Sequence, residues 1–306
     1  MQHVQAPAAA VMIRPHRFST NPDTAADNVF QASAALPADV IAARALAEFD
    51  AVVDALRAAG VIVHVFDDDG ERATPDSVFP NNWFSTHHGG RIAEYPMFAE
   101  SRRRERRQDV IEYLKEHYRV QEVVDYSGLE YDGLFLEGTG AMVLDHLDRI
   151  AYVARSNRAD PIILERFCTA FGYEPMAFDA ADESGRLIYH TNVLMCVATD
   201  YALVCLDAMT DSKRRAVVAA RLGESGREVI ALTRGQLHEF AGNALELTGT
   251  EGRVLALSAR AAAALGDDQR AVIERSARLL PVPVPTIELA GGSVRCMIAG
   301  VHLAPR

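Results

Sequence analysis

The sequence predicts an α/β protein, a closed ring of five β-β-α-β units in a single domain over residues 1–306. Three observations predict it. Apolar alternation, a turn, an amphipathic stretch and a further apolar strand recur in the same order four times, ~60 residues apart, a period that marks stacked or closed arrays. Segments left over at the two termini complete a fifth unit, which would close the array and remove its ends. No Pro- or Ser-rich linker interrupts the 306 residues, a length that one large domain can fill.

The shared unit takes its strands from Val294–His302 and Val11–Pro15, its long helix from Ala38–Ala58 and its last strand from Val61–Phe66. The next unit reads as Val78–Thr86, the turn His87-His88-Gly89-Gly90, Arg91–Phe98, a helix Ser101–His117 and a strand Glu122–Tyr126. Ala141–Leu144, the turn Asp145–Asp148, Arg149–Ala154, helix Asp160–Phe171 and strand Met176–Phe178 follow. A longer alternating strand, Ile188–Ala198, meets a turn at Thr199-Asp200 and a second strand Tyr201–Leu206. That unit ends in a helix from Asp211, its N-cap, to Leu222 and a strand Glu228–Leu232. The last complete unit runs Asn243–Leu247, Thr248–Gly252, Arg253–Leu257, a helical stretch Asp267–Leu279 and a strand Val284–Leu289.

Composition narrows the function. The net charge of −11 argues against nucleic acid and anionic membrane as partners, and no apolar run approaches the length of a membrane span. The apolar run Ala6–Ile13 has no Lys or Arg before it and reads poorly as a secretion leader. The single basic cluster, Arg102-Arg103-Arg104-Glu105-Arg106-Arg107, reads as a solvated helix turn. The four cysteines include no Cys-x-x-Cys pair, so neither a zinc site nor a disulfide framework is indicated, and a reducing cytoplasm is expected. Cys168, Cys196 and Cys205 sit in apolar strings and read as small buried hydrophobes. Cys296 differs, because Gly291-Gly292-Ser293-Val294-Arg295 leads into it.

In a ring of such units, polar residues that interrupt the first strand of each unit converge on the axis. Four interruptions stand out: Asp76-Ser77-Val78-Phe79-Pro80-Asn81-Asn82-Trp83, Leu136-Glu137-Gly138-Thr139-Gly140, Tyr189-His190-Thr191-Asn192 and Arg295-Cys296. Together they offer a nucleophile (Cys296), a general acid/base (His190) and a carboxylate that orients either (Glu137).

From Asp76 to His302 the chain resembles the pentein superfamily, the guanidine- and ureide-modifying enzymes that include arginine deiminase, dimethylarginine dimethylaminohydrolase and the amidinotransferases. The resemblance rests on Asp76-Ser77-Val78-Phe79, Leu136-Glu137-Gly138, Ser156-Asn157-Arg158, His190, Gly242-Asn243-Ala244-Leu245 and Gly291–Cys296, in the family's order. It implies a five-bladed α/β propeller and, as catalytic residues, Cys296, His190 and Glu137. It also implies substrate binding by Asp76 (α-ammonium), Phe79, Asn81, Asn82, Arg158 (α-carboxylate), Asn192 and Asn243.

The chain departs from arginine-handling relatives by placing Asn81, Asn82 and Asn192 where those carry acids. A buried carboxylate suits a guanidinium, whereas a carboxamide both donates to and accepts from a neutral ureido group without adding charge. The expected activity is therefore cysteine-dependent hydrolysis of citrulline to ornithine, ammonia and carbon dioxide, as in the citrulline-utilisation branch of the superfamily. The alternatives are deiminase, dimethylarginine hydrolase or amidinotransferase chemistry on a guanidinium, and, outside catalysis, a pentein-fold binding protein. No metal or organic cofactor is expected. The expected partner is a small amino-acid substrate, with a homodimer left open, and Asp67–Pro75 and Gly128–Gly133 are the candidate lid loops.

Overall fold

The computed structural model describes residues 3–32 and 36–306, and within them five three-stranded sheets surround one axis. Each sheet is an antiparallel pair, a hairpin in four of the five, followed by a helical crossover to a third strand parallel to the middle one. This is the β-β-α-β order expected from the repeats. The termini close the ring: Ala9–Arg14 pairs antiparallel with Ala299–Val301 (Ala10 opposite Gly300) and parallel with Ile62–Asp67 (Ala10 opposite Val63).

The other sheets are Phe84–His87, Arg91–Glu94 and Glu122–Asp125; Met142–Asp145, Ile150–Ala154 and Glu174–Phe178; Met195–Val197, Tyr201–Val204 and Glu228–Ala231; and Leu245–Gly249, Gly252–Ser258 and Ala277–Val282. Helices cover the outer faces of the sheets. Ala38–Ala58 buries Ala45, Phe49, Val52, Val53 and Leu56, a stripe at helical spacing that packs on Ala10, Met12, Val61 and Val63. Pro161–Phe171 starts with Asp160 capping the Ile162 amide and stops at Gly172, whose φ of 69° is left-handed.

The first strands are shorter than the apolar pattern indicated, for one recurring reason. Just before its first strand a unit turns once and presents polar groups to the axis. Pro80–Asn82, Gly138–Ala141, Thr191–Leu194 and Val294–Met297 are such turns. Val78–Thr86 and Ile188–Ala198 are therefore not continuous strands: strand structure begins at Phe84 and Met195. Arg91–Phe98 likewise ends as a strand at Glu94.

The expected helix Ser101–His117 is two helices, Glu100–Arg103 and Gln108–His117. In the last unit the helices are Ala259–Ala264 and Asp267–Glu274, the strand is Ala277–Val282, and Ile287–Ala290 is a 3-10 turn rather than strand. The arginine run does not form a solvated turn. Arg102 is only 3% exposed and makes a two-pronged pair with the buried Glu105 at 2.9 Å on both arms. Among the described residues no helix is long and apolar enough to cross a membrane.

Candidate active site

The axial turns bring together residues that are more than two hundred positions apart in the chain. Cys296 sits in the turn Val294–Met297, its amide bonded to Ser293 O at 2.9 Å. The approach to it is tight: Gly291 has φ 81°, and a Cβ on Gly292 would stand 3.0 Å from the Phe79 ring and 3.3 Å from Cys296 Cβ. Two carboxamides point at the sulfur. Asn192 Nδ2 donates to Cys296 Sγ at 3.2 Å and Asn243 Nδ2 at 3.3 Å, while Asn243 Oδ1 accepts from the Arg295 amide at 3.1 Å.

His190 caps the turn Thr191–Leu194, and its Nε2 lies 2.7 Å from Glu137 Oε2. Burial lowers the imidazole pKa to about 4 against the opposing pull of Glu137, so the ring is neutral at neutral pH with Nε2–H donated to Glu137. Glu137 is fully buried. Burial raises its pKa, but Arg158 and the His190 hydrogen bond outweigh it and hold the carboxyl well below the usual carboxylate range. A Cβ on Gly140 would lie 2.2 Å from the Asn82 carboxamide and 2.9 Å from His190 Nδ1, so the second glycine of Glu137-Gly138-Thr139-Gly140 is needed for close approach. Burial also separates the cysteines chemically: it pushes the thiols of Cys168 and Cys196 up to about 12 and raises that of Cys205, as expected of inert core residues.

A cavity of about 20 Å³ lies in front of Cys296, bordered by Asp76, Phe79, Asn82, Arg158 and His190. Six of the sequence-predicted residues thus line one space, and Glu137, Asn192 and Asn243 stand directly behind it. Asn81 does not line it. It is fully buried and its Oδ1 accepts from the Asn82 amide at 3.1 Å. Asn82 turns its own oxygen to Arg102, accepting from Nη1 at 2.8 Å and Nη2 at 3.1 Å. Asn192 turns its amide nitrogen to the sulfur, and its Oδ1 is buried without a partner among the described residues. Asp76 is buried, which raises its pKa, and accepts from Asn21 Nδ2 at 2.9 Å with Arg102 Nε 3.8 Å away.

Sequence reasoning missed five contributors. Arg102 was hidden in a basic run, and its only signal was Glu105 three residues on, the spacing of a helical ion pair. The N-terminal segment supplies Thr24 and Asn28 to the cavity lining and Asp27 to Arg158, so this segment covers the site rather than Asp67–Pro75 or Gly128–Gly133. Tyr189 carries the Arg158 guanidinium 4.6 Å above its ring.

A five-fold β-β-α-β ring with a cysteine, a histidine–glutamate pair and buried arginines at its axis defines the pentein superfamily of guanidino-modifying enzymes. Residues 14–303 match the family described as N,N dimethylarginine dimethylhydrolase, eukaryotic, and the chain belongs to that family. It is a hydrolase acting on non-peptide carbon–nitrogen bonds.

Solved structures share the fold at low identity. The N-terminal domain of ArgZ, a cyanobacterial arginine dihydrolase solved as a cysteine-to-serine variant bound to its substrate, is 16% identical at a TM-score of 0.71, over 95% of this chain and 96% of that one. Unliganded AgrE is 19% identical at 0.71, with this chain spanning 38% of its length. Dimethylarginine dimethylaminohydrolase (DDAH) from Pseudomonas aeruginosa, a cysteine-to-serine variant complexed with citrulline, is 14% identical at 0.63 over the whole of both chains. No curated protein matches the chain by sequence.

Proposed function

We propose that this protein hydrolyses citrulline to ornithine, ammonia and carbon dioxide through a covalent intermediate on Cys296. One observation carries the reading: every carboxylate of the site is already engaged, and the groups nearest the sulfur are amides. Glu137 holds His190, Glu105 holds Arg102, Asp76 takes the Asn21 amide and Asp27 holds Arg158. A neutral ureido group placed on Cys296 meets Asn82, Asn192 and Asn243 and strands no buried charge.

In this reading the Cys296 sulfur attacks the ureido carbon while its proton passes to neutral His190. The imidazolium, steadied by Glu137, gives that proton to the departing nitrogen, leaving a carbamoyl-type thioester on the sulfur. His190 then takes a proton from the attacking water. The carbon–sulfur bond breaks, His190 returns that proton to the Cys296 sulfur, and the released carbamic acid falls apart into carbon dioxide and the second amine. One water is consumed per citrulline. Asp76 and Arg158 are the groups placed for the substrate's ammonium and carboxylate, with Arg102 beside them.

A second reading takes arginine as the first substrate, with citrulline as its intermediate. It is favoured by the charge of the buried cluster, in which Asp76, Glu105 and Glu137 outnumber Arg102 and Arg158 and so suit a ligand of net positive charge. The solved structure of an asparagine-to-serine variant of ArgZ, covalently bound to a reaction intermediate, is relevant to that reading as a property of ArgZ. The test is separate incubation with citrulline, arginine and N,N-dimethylarginine, assaying ornithine, citrulline, ammonia and dimethylamine. Ornithine from citrulline is expected. Arginine or dimethylarginine converted to citrulline with no ornithine formed would overturn it.

A further inference from the structure

A second cavity, of about 40 Å³, lies within the ring and shares no lining residue with the one in front of Cys296. It has room for two or three water-sized groups. Its border includes Arg295, His146 and His302, and neither Asp nor Glu. Among the described residues the Arg295 side chain makes one hydrogen bond, from Nη1 to Ile298 O at 2.9 Å, and none of them accepts from its Nε or Nη2. No carboxylate among the described residues counters the burial that lowers its pKa.

A guanidinium does not shed its proton, and Arg295 is a half-buried cation with no counter-charge on the cavity wall, which is costly. The surroundings add to the cost. The His146 and His302 rings stack at 3.8 Å, and burial together with nearby cations, Arg295 and Arg149 among them, holds both imidazoles neutral. Tyr173 meets His146 Nδ1 at 2.9 Å, and with the hydroxyl as donor His146 keeps an Nε2–H to offer. These residues do not make a metal site. Among the described residues no group of three His, Cys, Asp or Glu side chains is placed to hold a metal. A protein with an excess of eleven negative charges thus holds, among its described residues, an acid-free cavity bordered by one guanidinium and two neutral imidazoles.

We propose that this cavity binds one small inorganic anion of the size and charge of chloride, held by Arg295 and the His146–His302 pair. The cavity is too small for an amino acid, and Arg295 offers it N–H donors with no carboxylate on its border. The inference is independent of which ureide or guanidine the enzyme hydrolyses.

The probe is bromide. In thermal melts at constant ionic strength, replacing isethionate by bromide is expected to raise Tm saturably, by about 2–4 °C at ten times the dissociation constant. Arg295→Gln is expected to lose that rise. Crystals of the wild-type protein grown in bromide are expected to show an anomalous peak between Arg295 and the histidine pair, a readout that stands even if the variant does not fold. A Tm indifferent to the identity of the anion, a rise retained in full by Arg295→Gln, or crystals with no anomalous peak in this cavity would each overturn the proposal.

Discussion

Asp27 grips Arg158 with both carboxylate oxygens, Oδ1 from Nη2 at 2.6 Å and Oδ2 from Nε at 3.0 Å, in the two-pronged geometry a substrate carboxylate would adopt. Asn157 Nδ2 adds a third bond to Asp27 Oδ2 at 2.7 Å. The cavity behind holds little more than a water, so an amino acid enters only if the segment carrying Asp27 gives way. Asp27 and the substrate's carboxylate then compete for one guanidinium. Asp27→Asn is expected to lower KM for citrulline about tenfold with a smaller change in kcat. A citrulline analogue lacking the carboxylate should gain nothing. Steady-state kinetics on both compounds checks this, and equal KM changes for the two would remove Asp27 as the competitor.

Cys296→Ala is expected to abolish turnover with the fold intact, and alkylation of Cys296 should be blocked by substrate. Cys168→Ala, Cys196→Ala and Cys205→Ala should keep activity and cost only the small stability of a buried side chain, since burial raises all three thiols. Activity above a trace in Cys296→Ala would exclude the covalent route.

His190→Ala is expected to cost about 10²–10⁴ in rate. Because the buried imidazole titrates at about 4 and must be neutral to accept the thiol proton, kcat/KM should fall as pH drops through about 4. Glu137→Gln removes the charge that draws this pKa upward, so the acid limb should move lower still. A profile unchanged by both variants would make the pair structural.

Much of this was legible in the sequence because the repeat is written in apolar spacing. The terminal unit, Ala38–Ala58 included, is found where the spacing put it, and Asp76, Glu137, His190 and Cys296 stand at the axis. Apolar alternation does not reveal the turn that precedes a first strand, since Val78, Val193 and Leu194 are buried in a turn as they would be in a strand. Nor does a local basic run reveal that one of its arginines is buried. Arg102 is drawn in by Asp76, Glu105 and Glu137, and only folding brings those three together.

Stability should fall as the pH drops below about 6.5. The buried His87, His146 and His190 and the half-buried His302 have folded pKa values below the ordinary 6.5, to about 4 for His190 and about 3 for His302. Between those values and 6.5 the unfolded chain binds protons the folded one does not, so protonation favours unfolding. Glu105 acts the other way. Burial pushes it up to about 7, so its contribution is full below the unfolded value of 4.5 and is lost as pH rises through 7. Burial raises Asp76, Glu94, Asp145, Glu246 and Glu288 in the same sense, but carboxyls of the unfolded chain titrate below pH 5 while its imidazoles take up protons inside the window, so Tm measured from pH 7.5 to 5 is expected to decline throughout the lower half of that range. A flat profile would mean that these imidazoles are charged in the folded protein.

The asparagines should not behave alike when each is made acidic. Asn82 offers its oxygen to both Nη atoms of Arg102, so a carboxylate in Asn82→Asp pairs with a guanidinium already present, and the loss in citrulline kcat/KM should stay near 1 kcal/mol, about fivefold. Asn192 donates to Cys296 Sγ at 3.2 Å. In Asn192→Asp that donor becomes a negative charge against the developing thiolate, which should cost on the order of 3 kcal/mol, about two orders of magnitude. The alkylation rate of Cys296 against pH should shift upward in Asn192→Asp and hold in Asn82→Asp. If Asn192 acts through the sulfur, citrulline and arginine lose equally. If it faced the ureido group instead, Asn192→Asp would shift preference toward arginine, and a changed ratio of the two kcat/KM values with an unmoved alkylation profile would return Asn192 to the substrate.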